Sequence, residues 1–388
     1  MKILHVNYYD VRGGAALAAY RLCKKQRENG LDARMVVAEK FSDSPWVIPL
    51  PRKIVKKLHF LQHAEALWNR IAGKNGNILP FSLNLFPAGS AGFINDIPRD
   101  ILHLHWINGQ MLSIGEITQL AGPVVWTLHD NWAYCGAEHY HKQGDVRYET
   151  GYCGVRTEDF VWRRKEKLWK NFFPVIVGPS KWICRETENS KLFARRRVEH
   201  IFNGIPAECF FPHPKSEARR HWGLPADRPV IVIGAASLSD ENKGGKLLKD
   251  TLALFPEVSV LAIGRNASKE LHPRLRAAGD ISDQEQLALA YSAGDLFLSV
   301  ARYDNLPNML IEAAACGTPV VAVNAGGAGE IVGTSNGITA PPEPGALAAA
   351  VKKILDKECV FTPAAREFDI ENAAVNYLKL YRSIMSQQ

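Results

Sequence analysis

The sequence predicts an α/β protein built from two parallel-sheet domains, and three observations carry that prediction. Short apolar runs alternate with helical patterns through the first half of the chain, the rhythm of parallel strands joined by crossover helices. The rhythm stops in a stretch dense in proline and turn formers, then restarts. With 388 residues, 46% of them hydrophobic and 22% charged, the chain is long enough for about two domains with separate cores.

The first domain is expected over residues 1–202. Its apolar runs fall at 3–6, 33–37, 101–104, 124–128 and 175–177, and residues 15–28 carry helical periodicity. The break is Phe202-Asn203-Gly204-Ile205-Pro206, followed by Pro212, Pro214 and Pro225. The second domain is expected over 203–369, with strands at 229–233, 258–263, 296–300 and 319–323. In the last segment, 370–388, Ala374, Tyr377, Leu378, Tyr381 and Ile384 recur at helical spacing. That helix comes too late for the second sheet and is expected to pack back on the first domain.

Composition narrows the function classes. No run approaches the roughly 18 to 20 apolar residues of a spanning helix, and the apolar start is too short for a signal-peptide core, so the expected location is the cytoplasm. Seven cysteines, an odd number without a C-x-x-C pair, read as reduced thiols. Cys135, His139, His141 and Cys153 are zinc-binding types at none of the usual spacings, and loop packing is the competing reading. Forty-seven Lys and Arg against 40 Asp and Glu give +7, which suits an anionic partner: nucleic acid, anionic lipid or a sugar nucleotide. No recognition helix or RNA-binding signature accompanies the charge, so a basic nucleic-acid-binding protein has only the charge in its favour. Arg52, Lys53, Lys56 and Lys57 open a helical segment, 52–71, whose apolar positions are Ile54, Leu58, Leu61, Trp68 and Ile71. Such a helix fits the inner face of an anionic membrane or a peripheral position with a solvated basic end, and the sequence leaves both open. The basic stretch 163–170, with Trp162 and Trp169, shares that ambiguity.

In an open parallel sheet, ligands bind beyond the carboxyl ends of the strands. After the first strand stand Gly13 and Gly14 at a helix start, where bare amides can meet an anion; a tight turn is the competing reading, and no G-x-G-x-x-G is present. After 124–128 comes His129-Asp130, suited to a sugar hydroxyl or to orienting a reacting group, or to a purely structural hydrogen bond. His103 and His105 end an earlier strand and are expected to line the same wall. Lys243-Gly244-Gly245 precedes a helix, a combination that suits a diphosphate or an ordinary solvated loop. The run from Arg302 to Pro319 is the most informative. Pro307 suits the first turn of a helix that stops at Gly317, with Asp304 in the loop and Glu312 on the helix. The amides of Asn305, Leu306, Pro307, Asn308 and Met309 lie around a helix start, where N–H groups lack intrahelical partners, Pro307 itself having no N–H. One carboxylate could hold a sugar diol and the other a ribose diol, with the helix start stabilising a leaving diphosphate.

At these residues the chain resembles the retaining glycosyltransferases of family 4, and most closely those of bacterial exopolysaccharide assembly. The resemblance covers nearly the whole chain. Its specific part is the family's E-x7-E element, realised as Asp304 with Glu312 and continuing through Gly317-Thr318-Pro319. Gly13-Gly14, Thr127-Leu128-His129-Asp130, Pro179-Ser180, Asn203-Gly204-Ile205, Lys243-Gly244 and Gly326-Gly327 before Glu330 support it. It implies the GT-B architecture, two Rossmann-like domains facing each other across a cleft, with a C-terminal helix crossing back. It also implies a nucleotide diphosphate sugar as donor and a saccharide or lipid-linked saccharide as acceptor. Glu312 would bind ribose, Lys243 the donor phosphates, and Asp304 with the 305–309 amides the transferred sugar. The loop 280–283, Ile281 included, would hold the base through its backbone, and His129 would face the sugar from the first domain. Retention without an enzyme nucleophile and without a metal or other cofactor is implied as well. Two positions depart from the pattern. Asp304 is shorter than the family's Glu by one C–C bond, roughly 1.5 Å. Ser237 and Leu238 stand where the family's phosphate-binding Arg is expected, with Arg265 as the candidate substitute. A nucleotide-sugar epimerase or a sugar-phosphate synthase of the same fold is the alternative, since the fold alone does not choose the reaction.

Overall fold

The computed structural model describes residues 1–71, 81–142, 144–237, 244–335, 337–358, 361–362 and 366–387. The chain forms two compact units, Met1–Phe202 with Ala373–Gln388, and Asn203–Asn372.

In the first unit, β1 (Lys2–Tyr9), β2 (Asp32–Glu39), β3 (Val47–Pro49), β4 (Ile101–Leu104), β5 (Val124–Thr127), β6 (Val175–Gly178) and β7 (Val198–His200) form one parallel sheet in the order β3-β2-β1-β4-β5-β6-β7. Side chains alternate across a strand, so Leu4, Val6 and Tyr8 of β1 join Leu102, Leu104 and Trp126 in an apolar core on one face. The same alternation sends His5 and Asn7, with His103 and Thr127 of the neighbouring strands, to the opposite face. All four are buried there. The C-terminal helix, Ile370–Met385, covers this polar face: its Tyr377 hydroxyl meets Thr127 Oγ1 at 2.8 Å and its Tyr381 hydroxyl meets His103 Nδ1 at 2.7 Å.

The second unit repeats the plan. Strands β8 (Val230–Ser237), β9 (Ser259–Arg265), β10 (Leu275–Gly279), β11 (Leu296–Ser299), β12 (Val320–Val323) and β13 (Ile338–Ala340) are all parallel, in the order β10-β9-β8-β11-β12-β13. Ile231 and Ile233 of β8, Leu296 and Leu298 of β11 and Val321 of β12 pack on Leu248 and Leu347 of the covering helices. In each sheet the strand order reverses beside the first strand, between β1 and β4 and between β8 and β11, which is where open α/β sheets hold ligands. This is the pair of parallel α/β sheets that the sequence predicts. Where the chain enters and leaves the second unit, Ile205 pairs with the backbone around Asp369, through Ile205 N to Phe368 O at 2.8 Å and Ile370 N to Ile205 O at 2.9 Å.

Four strands are missing from those the sequence predicts: β3, although it lies in the apolar stretch 46–50, and β7, β10 and β13. They are the four edges of the two sheets. An edge strand pairs on one side only and is partly exposed, so it needs no continuous apolar run; β7, for example, is half-buried at all three of its positions.

The helix Arg52–Ile71 corrects one expectation. Ile54, Leu58 and Leu61 face the core of the first unit, so this predicted apolar face is internal. Trp68 instead joins Phe60 and Leu67 on the outside, 52%, 72% and 59% exposed. No described helix is long and apolar enough to cross a membrane.

Candidate active site

In the first unit the carboxyl end of β1 leads into Asp10, Gly13 and Gly14. The Asp10 carboxylate accepts hydrogen bonds from the amides of Val11 at 2.9 Å, Phe41 at 2.9 Å and Ser42 at 2.8 Å, fixing two loops at once. Burial pushes its pKa up, but the bonds from Ser42, Phe41 and Val11 outweigh that and hold it below the ordinary value. Gly13, at φ 88°, starts the helix Gly14–Glu28, and no side chain caps that start. Both glycines are exposed.

After β5, His129 is half-buried and Asp130 buried. Asp130 accepts from Trp106 Nε1 at 2.8 Å and Trp132 N at 3.0 Å, and pairs with His139 Nδ1 at 2.5 Å. Its burial raises the carboxyl pKa, yet His139 and these donors bring it below the ordinary value. The loop that follows is held by Lys165, a fully buried ammonium that donates to the carbonyls of Trp132, Cys135 at 3.1 Å and Gly136 at 2.7 Å. Burial lowers its pKa to about 7, and the Trp132 ring lies 3.7 Å from the nitrogen.

The possible zinc set is dispersed among other partners. His139 joins Asp130 and Ser82, His141 meets Glu186 Oε2 at 2.7 Å, Cys135 is buried, and Cys153 is exposed. His103 and His105 do not line a wall either; both are buried within the sheet face, 0% and 3% exposed. His105 Nδ1 meets His129 Nε2 at 3.1 Å, so the predicted histidine is the outer member of a buried group.

In the second unit, Lys243 lies outside the described residues. Gly244 starts the helix Gly245–Leu252 in the left-handed region at φ 80°, against β11: a Cβ there would sit 2.4 Å from the Val300 carbonyl oxygen. Arg265 closes β9 and is the ladder partner of Ser237 at the end of β8. The structure thus sets Arg265 directly beside the position where the expected arginine is missing. Ile281 is half-buried in the loop before the helix Gln284–Ser292, which Asp283 caps by accepting from Gln286 N at 2.8 Å.

Past β11, Asp304 is half-buried, and Asn305, Leu306 and Pro307 are buried. The helix runs Asn308–Ala315 with Pro307 as its cap residue, one position earlier than a first-turn proline, and without a side-chain cap. Gly326 packs its backbone on this loop: a Cβ there would sit 1.8 Å from the Asp304 carbonyl oxygen, and Gly327 N donates to Asn305 O at 2.8 Å. Asn308 and Met309 are half-buried in the first helical turn. Glu312, only 2% exposed, accepts from the Tyr291 hydroxyl at 2.9 Å, and Thr318 Oγ1 donates to the Tyr291 carbonyl at 2.7 Å. Tyr291 is a site neighbour that spacing does not disclose, because it comes from a different helix.

Residues 228–357, most of the second unit, match the family described as Glycosyl transferases group 1. The chain carries a group 1 glycosyltransferase domain. That domain contains β8 to β13, Gly244, Arg265, Ile281 and the whole run from Asp304 to Pro319. Over its full length the chain is similar to the putative colanic acid biosynthesis glycosyl transferase WcaC of Escherichia coli, at 24% identity with 96% of each chain covered. It is also 25% identical to a D-inositol 3-phosphate glycosyltransferase of Mycolicibacterium smegmatis, over 74% of this chain and 67% of that protein. In other proteins of that name it spans 57% to 62% of their length. Two solved structures share the fold of the group 1 domain together with the first unit. Sucrose-phosphate synthase from Thermosynechococcus elongatus has a TM-score of 0.69 at 19% identity, with 100% of both chains covered. Anabaena HepE in complex with UDP has 0.62 at 18%, covering 99% of this chain and 100% of that one. These findings bear out the resemblance to family 4 proteins of GT-B type.

Proposed function

We propose that the protein is a retaining glycosyltransferase that moves a sugar from a nucleotide diphosphate to a saccharide or lipid-linked saccharide acceptor in cell-surface polysaccharide assembly. The observation that carries this reading is the Asp304–Glu312 element at the carboxyl end of β11, inside the group 1 match and beside the strand-order reversal. A uridine diphosphate sugar is the donor class we favour, because HepE has been crystallised with UDP and with UDP-glucose. In this reading Glu312 takes the ribose, Ile281 the base, and Asp304 with the 305–309 backbone the sugar. Lys243, Arg265 and the uncapped helix start stabilise the leaving diphosphate, so no metal is required. The ladder pairing of Arg265 with Ser237 is what favours it as the second phosphate cation. The donor phosphate then accepts the acceptor's proton on the face from which it departs, which retains the anomeric configuration. His129 contacts the transferred sugar.

Calorimetric titration with UDP, GDP and their sugar conjugates tests the reading, with Glu312→Gln and Glu312→Ala alongside. One nucleotide should bind the wild type and lose affinity by about tenfold or more in both variants, as expected for a charge-assisted hydrogen bond. A folded wild-type protein that binds none of them, or a product of inverted configuration, would overturn it. The similarity to sucrose-phosphate synthase favours one second reading, a sugar phosphate as acceptor, which product analysis with free sugar phosphates decides.

For location we favour the cytoplasmic face of a membrane. Lys53, Lys56, Lys57, Phe60, Leu67 and Trp68 all lie exposed along the helix Arg52–Ile71, a mixed basic and aromatic surface suited to anionic lipid. Co-sedimentation with phosphatidylglycerol vesicles should fall on Phe60→Ser with Trp68→Ser; equal sedimentation would remove the proposal.

A further inference from the structure

His5, His103 and His105 are all buried, and their nitrogens lie within 4.8 Å of one another, near enough to ligate one metal ion. Their ring nitrogens are already engaged otherwise. His5 Nε2 meets Gln26 Oε1 at 2.8 Å, and His5 Nδ1 meets His105 Nε2 at 3.0 Å. His105 Nδ1 meets His129 Nε2 at 3.1 Å. His103 is held by Tyr381 at Nδ1 and by Thr127 at Nε2, both at 2.7 Å. An ion would have to break at least one bond per ring in a closed interior, so the arrangement reads as a hydrogen-bonded chain and not as a metal site.

The direction of that chain can be worked out from its inner end. An amide oxygen only accepts, so His5 Nε2 carries the proton that Gln26 Oε1 receives. A neutral imidazole has one N–H, which leaves His5 Nδ1 to accept from His105 Nε2, and His105 Nδ1 to accept from His129 Nε2. Burial keeps the rings neutral: it lowers His5 and His129 to about 4 and pushes His103 and His105 well below their ordinary value. Gln26 itself is oriented by its Nε2, which donates to the Tyr381 hydroxyl at 3.3 Å.

We propose that Gln26, His5 and His105 are positioning residues that lock His129 in the Nε2–H form, so that its Nδ1 accepts a hydrogen bond from a hydroxyl of the transferred sugar. Nδ1 of His129 has no partner among the described residues. The role of the sugar hydroxyl rests on the transferase reading, whereas the lock itself does not. Tyr381 gives the C-terminal helix a part in it, since the helix supplies the hydroxyl that turns the Gln26 amide.

Two-bond 15N–1H correlation spectra of the uniformly 15N-labelled protein at neutral pH read each tautomer with no ligand present. His5, His105 and His129 should all carry the proton on Nε2. Gln26→Leu, which removes the terminal acceptor, should turn His129 into a tautomer mixture, and Gln26→Glu, again an acceptor, should restore it. Transfer rate should fall about tenfold in Gln26→Leu with affinity for the nucleoside diphosphate alone unchanged. A wild-type His129 protonated on Nδ1, which the turned-over Gln26 amide would produce, overturns the proposal, as does a Gln26→Leu spectrum identical to wild type. Should Gln26→Leu not fold, the wild-type spectrum alone decides. A protein that binds no sugar nucleotide yet shows these tautomers sinks the transferase reading and leaves the lock standing.

Discussion

The two units share one strand order, which β7 extends in the first, but they fill the carboxyl ends of their central strands by opposite means. In the first, buried polar side chains on and just after the strands lead toward it: His5, His103, His105 and Thr127, tied to Tyr377 and Tyr381. In the second, backbone occupies it: Gly244 against Val300 and Gly326 against Asp304, each too close for a side chain. Each unit is therefore vulnerable to a different kind of change. A network of buried polar groups is sensitive to protonation and to the loss of one partner, whereas close backbone packing is sensitive to a single added methyl.

The largest expected effect is that of pH on the first unit. His5 and His129 fall from an ordinary 6.5 to about 4 on folding. Between those values the unfolded chain takes up protons that the folded one excludes, so the stability these two contribute is full above 6.5 and falls as the pH drops toward 4. His141, raised by Glu186 against the pull of burial, acts in the opposite sense and in a different window: the stability it adds is full below 6.5 and is lost as the pH rises through its folded value. The loss should be on the order of 5 kcal/mol across the network, read as a falling urea midpoint. A midpoint that is flat from pH 7 to 5 would remove the contrast between the units.

Gly326→Ala attacks the other side. Its Cβ would lie 1.8 Å from the Asp304 oxygen, which should cost about 3 kcal/mol and abolish nucleotide binding; retained affinity by calorimetry would show that the loop can move aside. Lys165→Met would leave three carbonyls without their donor and should destabilise the protein by about 2 kcal/mol in urea titrations. The smallest effect expected is from Tyr381→Phe, which deletes the hydroxyl between His103 and Gln26, about 1 kcal/mol. The same deletion should loosen the His129 tautomer, so a variant that is destabilised with unaltered spectra would separate the helix from the lock.

Legibility followed the range of the interactions. The two parallel sheets, with their nine inner strands, and the helix after Pro307 could be read because each is written within a short stretch: an apolar run, a proline, a glycine stop. The edge strands could not, because their pairing is decided by a neighbour distant in sequence. Trp68 shows the same limit from another side. Helical spacing put it with Leu58 and Leu61, but only packing decides which of two partly apolar faces turns inward.

The candidate sites divide in the same way. His129, Asp304 and Glu312 stood out because they follow strands, where an open sheet offers its binding edge. Gln26, Tyr291 and Tyr381 did not, for their importance comes from residues between 21 and 355 positions away. By itself the sequence determined the doubly α/β plan, since that rests on local periodicity and turn chemistry. Only the tertiary structure decided that Arg265 stands beside Ser237, that Glu312 is held by Tyr291 and that His129 ends a chain of imidazoles. Those are hydrogen bonds and ladder pairings between segments that no spacing rule connects.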